Sequence, residues 1–251
     1  MSQQAEPPPV SRTPRQARRR FYLVASLALV ALLVALVLYP VSTGALRAGE
    51  LLCLFGLWGV ALALVWGRRV ARYALLGVTL CALVFLASPG GTGGAAALRG
   101  AYVDSLSEYG GTKYVWGGEG RFGIDCSGLV RRGLINADVR RGLVTANPKL
   151  LREAASLWWH DSSARTLLAG YGGRTREILA APSINELDHS RLLPGDIAIT
   201  SDGLHTLAYS GDRTWIEADP IPMRVVKVSV PSGITWFKVP VHIMRWRQFE
   251  D

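Results

Sequence analysis

Apolar residues are distributed along this chain in two ways. Up to residue 88 they run unbroken, from Phe21 to Tyr39, Leu51 to Trp66 and Val70 to Leu86. At a rise of about 1.5 Å per residue, such runs reach roughly 24–28 Å, close to a hydrocarbon core of about 30 Å. They are apolar on every side, with no amphipathic neighbours to cover them, so they predict three transmembrane helices rather than core helices. Past residue 95 the pattern becomes periodic, as in a domain with one buried face per element.

In that second region, residues 95–111 space Leu98, Tyr102, Val103 and Leu106 three or four apart, which predicts a helix ended by Gly110 and Gly111. A helix from Cys126 to Leu134 places Leu129, Val130 and Leu134 on one face, with Arg131 and Arg132 turned away. A helical insertion is expected over Pro148–Leu179, carrying Trp158, Trp159 and His160. From Leu192 the pattern shortens to strands: Ile197–Thr200, a hairpin of HTLAYSG and TWIEAD about Gly211-Asp212, then Arg224–Val230 and Trp236–Trp246. Helices followed by antiparallel strands define an α+β class.

Charge divides at the same place. Before Gly100 there are 10 Lys and Arg against 2 acids, and from Gly100 onward 18 against 17. The net charge of +9 therefore belongs almost wholly to the apolar half, and the second half carries no nucleic-acid footprint. Arg12, Arg15, Arg18, Arg19 and Arg20 precede the first span, and Arg68, Arg69 and Arg72 lie between the second and third. Both clusters belong on the cytoplasmic side, so three crossings deliver the rest of the chain outside. Thr43 and Ala45 also offer a cleavage-like site after the first span, but its apolar stretch exceeds a usual signal core. The expected organisation is a disordered basic tail (1–20, with Pro7-Pro8-Pro9), a transmembrane region (21–87), a Gly-rich linker (88–99) and a domain over 100–251.

Of three cysteines, Cys53 and Cys81 fall in the apolar runs and are expected to be small packing residues. Cys126 is then alone in an exported domain, without an intradomain disulfide partner. It follows a glycine-rich turn and opens a helix whose first-turn N–H groups favour negative charge. A base is needed within reach. His160, His189 and His242 lie in the insertion, a loop and the last strand, whereas His205 opens a strand directly after Gly203, where a side chain faces a cleft. Glu217 stands twelve residues later across the hairpin, on the face where it can orient an imidazole; Asp219 shares that face and competes for the role. No HExxH, CxxC or acidic loop supports a metal site or cofactor.

The segments YVWGGEGRFGIDCSGLV (114–130), LLPGDIAI and HTLAYSGDRTWIEA together resemble the NlpC/P60 family of papain-like cysteine peptidases over about residues 100–251. The resemblance implies Cys126 as nucleophile, His205 as general base and Tyr114 as an oxyanion-stabilising hydroxyl. It implies that Asp125 and Ser127 contact the substrate near its amino end, and that Glu217 holds the third catalytic position. Glutamate departs from the His, Asn or Gln usual there and brings a full negative charge to the imidazole. The insertion is longer than compact family members need, so Trp158 and Trp159 either cap the groove or pack onto the core.

The resemblance further implies a membrane-anchored hydrolase of peptidoglycan stem peptides, cutting the D-γ-glutamyl–diamino acid bond. Its expected site is a bacterial cytoplasmic membrane, multi-pass, with the N-terminus cytoplasmic and the catalytic domain periplasmic or extracellular. A regulatory membrane or periplasmic protein is a further expected partner. The alternatives are an amidase or acyltransferase using the same dyad, and an inactive domain that binds wall peptides or a partner.

Overall fold

The computed structural model describes residues 14–91 and 94–250. The Pro7–Pro9 stretch of the tail and Thr92-Gly93 of the linker lie outside the described residues. The described residues divide into two compact units, one of residues 14–37 with 48–80 and one of residues 38–47 with 81–91 and 94–250.

Within the first unit run most of α1 (Pro14–Leu38), α2 (Gly44–Val65) and α3 (Arg69–Ala87). Helix α1 begins before Phe21, so residues 14–20, expected in a disordered tail, are helical. All three helices are long and apolar enough to cross a membrane. Close approach is permitted by small residues: a Cβ on Gly56 would meet Leu29 at 3.0 Å. Trp58 Nε1 donates to Thr79 Oγ1 at 3.2 Å, satisfying a polar atom among apolar neighbours. Leu27, Leu52, Phe55 and Val78 stay exposed, as lipid-facing positions would.

In the second unit, α4 (Ala95–Ser107) buries Leu98, Tyr102 and Leu106 but leaves Val103 partly exposed. A short hairpin of β1 (Glu119–Gly120) and β2 (Gly123–Ile124) leads into α5 (Cys126–Val144), which is ten residues longer than the motif alone predicted. Helix α5 packs on α4 and on α6 (Pro148–Trp159); α7 (Ala164–Leu168) follows. The expected helical insertion ends there. Its last part is strand β3 (Thr175–Ala181), because TREIL pairs with the final strand of the sheet and β-pairing overrides local helix propensity.

The remaining strands are β4 (Ile197–Thr200), β5 (Thr206–Gly211), β6 (Thr214–Asp219), β7 (Arg224–Ser229) and β8 (Val241–Trp246). They form one antiparallel sheet in the order β3-β8-β4-β5-β6-β7. The last strand starts at Val241 rather than Trp236, which instead sits in a 3₁₀ turn, Thr235–Phe237. Alternation assigns the faces. Ile197, Ile199, Ile216 and Trp246 join the core under the helices, while Ala198, Leu207, Trp215 and Ile243 join a second cluster with Ile184, Leu192 and Phe237. Both faces are thus covered, which explains why every residue of β4 is buried.

One expected orientation is reversed. Arg131, read as turned away from the core, is 0% exposed and pairs with Glu119 of β1. Charge alone misleads here, because the glutamate that receives it is set by a turn twelve residues earlier.

Candidate active site

Asp125 stops the chain from extending and starts α5. Its backbone is extended, and its Oδ1 accepts from Gly128 N at 2.6 Å and Ser127 Oγ at 3.0 Å, an N-cap worth about 0.5–2 kcal/mol. Its other oxygen accepts from Gly117 N at 2.8 Å, tying the glycine turn to the helix start. Gly117 adopts φ 71°, and a Cβ on Gly128 would lie 2.2 Å from Gly118 O, so glycine is required at both positions. Cys126 is therefore held on the first helical turn, buried at 6% exposure.

His205 arrives from the opposite side. Gly203 at φ 69° makes the turn, Asp202 Oδ1 accepts from Leu204 N at 3.0 Å, and His205 N donates to Thr200 Oγ1 at 3.0 Å. His205 Nε2 meets Glu217 Oε2 at 2.6 Å, and Cys126 lies near enough to the ring to influence its protonation. Burial opposes the charged imidazole. Hydrogen bonds and charge from Cys126 and Glu217 outweigh it and raise the His205 pKa to about 9. Burial raises the Glu217 carboxyl above its ordinary range, and the bond to His205 pulls the other way.

Asp219 is engaged elsewhere: its Oδ1 accepts from Ile221 N at 2.9 Å and Trp236 Nε1 at 3.3 Å. Trp236 in turn stacks on His205, with centroids 4.3 Å apart and planes inclined by 21°. Sequence reasoning overlooked this tryptophan, since its position in an expected strand gave no sign that it would cover the imidazole.

Tyr114 faces the same groove, and burial with the nearby Cys126, Asp125 and Asp219 raises its pKa. The phenol therefore stays protonated and able to donate. The groove, about 360 Å³, is lined by Tyr114, Asp125, Cys126 and Ser127, with exposed Trp116 and Leu204 at its rim. Of the residues named from the sequence, Tyr114, Asp125, Cys126 and Ser127 line the groove, His205 and Glu217 form a buried pair, and Asp219 is bonded to Ile221 and Trp236. Ser42 and Arg165, which also line the groove, had not been singled out. Trp158 packs against the core and Trp159 is 47% exposed; neither lines the groove.

The other histidines are used structurally. His189 Nδ1 bonds Leu187 O at 2.8 Å and its Nε2 accepts from Trp215 at 3.2 Å, while His160 bonds Ser156 O and His242 meets Glu177. Asp196 bonds Leu193 N locally, as the Pro-Gly-Asp turn suggests, and also takes a two-pronged ion pair from Arg245 at 2.6 and 2.7 Å. All three cysteines are free, Cys53 buried and Cys81 exposed. Among the described residues no cluster of His, Cys, Asp or Glu has the arrangement to hold a metal ion.

The model of the NlpC/P60 family matches residues 111–245, more than half of the chain. The chain belongs to the NlpC/P60 family. This family includes peptidoglycan hydrolases, and the match spans the cysteine helix and nearly the whole sheet. No curated protein matches. Among solved structures, NlpC2 from Trichomonas vaginalis is similar at 21% identity and TM-score 0.40, over 60% of this chain and 47% of that one. The P60 domain of antigen MAP1204 from M. avium subspecies paratuberculosis has 18% identity and TM-score 0.38, over 60% and 96%. The peptidoglycan hydrolase RipB from Mycobacterium tuberculosis has 18% identity and TM-score 0.36, over 59% and 65%. The chain thus spans less than half of the length of the Trichomonas protein. For this NlpC/P60 chain the family assignment rests on the family model rather than on those alignments.

Proposed function

We propose that this NlpC/P60 protein is a membrane-anchored cysteine peptidase that cleaves a stem-peptide amide of peptidoglycan, with the D-γ-glutamyl–diamino acid bond as its target. The carrying observation is the buried relay of Cys126, His205 and Glu217 opening onto a groove. The Cys126 thiolate attacks the amide carbonyl, and the Tyr114 hydroxyl donates to the resulting oxyanion. His205, held as imidazolium beside Glu217, passes its proton to the departing amine as the C–N bond breaks, leaving a thioester. Water then gives a proton to the neutral imidazole and attacks the thioester; the carboxylic acid departs and the thiol is restored. Asp125 and Ser127 hold the amino end of the substrate.

Anchoring and orientation are supported by the three apolar helices and the arginine clusters at their cytoplasmic ends. The α1–α2 connection, residues 38–47, packs into the same compact unit as the catalytic domain. This packing supports three crossings, which would put that connection and the chain after α3 on one side.

The test is digestion of defined muropeptides by the full chain in detergent micelles, followed by mass analysis of the termini. A new diamino-acid amine terminus, lost in Cys126→Ala, is expected. Equal digestion by Cys126→Ala, or cleavage at a sugar–peptide amide, overturns this reading.

A further inference from the structure

An ion-pair cluster, buried except for Asp161, lies beside the groove, and one of its members comes from outside the family-matched region. Arg47, on the first turn of α2, is 1% exposed. Its Nη2 donates to Glu119 Oε2 at 3.1 Å, its Nε to Ser42 Oγ at 3.0 Å and its Nη1 to Trp159 O at 3.4 Å. Arg131 of α5 takes the other oxygen of Glu119. Asp161 Oδ1 stands 3.7 Å from Arg47 and 3.5 Å from Arg131, so two guanidiniums face two carboxylates. Such a cluster gains little stability over apolar packing, and its members are held in place by mutual geometry.

The backbone of the α1–α2 connection is joined to the glycine turn by a single antiparallel bridge. Ser42 N donates to Gly117 O at 3.0 Å, Glu119 N donates to Pro40 O at 3.1 Å, and Val41 bridges Gly118 in antiparallel sense. The side chain of Val41 lies 3.3 Å from where a Cβ on Gly117 would stand. Ser42 then lines the groove with Gly117, Asp125 and Cys126. A continuous path therefore runs from Arg47 through Glu119 and the turn to the Gly117–Asp125 bond and the residue before the cysteine.

We infer that the α1–α2 connection is a wall of the substrate groove, with Ser42 contacting the bound peptide beside Asp125 and Arg47 acting as the positioning residue that holds this wall closed. The inference deepens the proposed function and rests on that reading for the identity of the peptide. It makes the membrane region part of substrate recognition rather than a tether: the connection supplies the side of the groove that receives the amino end of the stem peptide.

The test compares the full chain in detergent with Arg47→Ala, Arg47→Lys and Ser42→Trp, each in a Cys53→Ser, Cys81→Ser background. Muropeptide KM and kcat are measured beside the rate of Cys126 alkylation by iodoacetamide. Arg47→Ala and Ser42→Trp should raise KM by about tenfold or more with kcat little changed, the signature of lost substrate binding. Alkylation should keep its wild-type rate, showing an intact dyad, and Arg47→Lys should recover part of the KM. Unchanged KM in both Arg47→Ala and Ser42→Trp overturns the inference, as does a parallel loss of alkylation in all variants. If the wild type cleaves no muropeptide, the functional reading fails separately. The wall is then judged by bridging Ser42→Cys to Cys126 with a short bifunctional methanethiosulfonate: a bridge supports it and no bridge overturns it.

Discussion

His205 Nε2 and Glu217 Oε2 are 2.6 Å apart in a site where neither side chain is more than 2% exposed. A carboxylate at this distance does more than orient the ring, because it favours the charged imidazole that the thiolate needs. Glu217→Gln retains an oxygen to orient the ring but removes the charge. The alkaline limb of the kcat/KM profile, expected near pH 9 in the wild type, should move toward neutrality. Each unit of displacement costs about tenfold in imidazolium above the new limb. A pH–rate profile that is identical in the two proteins would count against a charge role for Glu217.

The same shift affects stability. A histidine whose folded pKa lies above its ordinary 6.5, at about 9, contributes stability that is complete below 6.5 and lost as pH rises through 9. Thermal unfolding of the full chain in detergent should therefore show a falling Tm between pH 6.5 and 9.5. The loss is bounded at about 3 kcal/mol, and Glu217→Gln should flatten the slope.

Trp236 covers one face of the imidazole, and a cation over an indole ring gains about 0.5–2 kcal/mol. Trp236→Ala should lower the His205 pKa by up to about one unit, and Trp236→Phe should restore much of it. Chemical-shift titration of the His205 ring reads this directly.

Tyr114→Phe removes the one side-chain hydroxyl of the groove placed for the oxyanion by this reading. A loss of about 10²–10³ in kcat is expected with KM nearly constant. Steady-state kinetics on one muropeptide decide it; a KM effect alone would assign Tyr114 to binding.

Glu119 serves two buried guanidiniums, so its loss should cost more than the loss of either arginine. Glu119→Gln leaves Arg47 and Arg131 facing each other with only the exposed Asp161 nearby, a penalty of about 3–5 kcal/mol. Arg131→Met leaves Glu119 paired with Arg47 and should cost less. Thermal unfolding of both variants under one condition ranks them.

What the sequence determined by itself was whatever depends on local pattern. Continuous apolar runs carry their own length and polarity, so the three long helices were legible. Alternation and turn chemistry marked β4 to β7, and the span from Gly117 to Gly128 announced a cysteine on a helix start because only glycine tolerates that turn. The Gly203 turn marked His205 as the histidine to expect beside the cysteine, and the structure sets it against Glu217. Tertiary structure decided whatever depends on partners distant in the chain. Strand β3 looked helical until β8 paired with it. Arg131 looked solvent-facing until Glu119 and Arg47 enclosed it. Which carboxylate meets His205, Glu217 rather than Asp219, depended on how the strands pack, and Trp236 over the ring left no local trace. The physical reason is the same in each case: periodicity reports which face of an element is buried, whereas the partner against that face is chosen only when the elements pack.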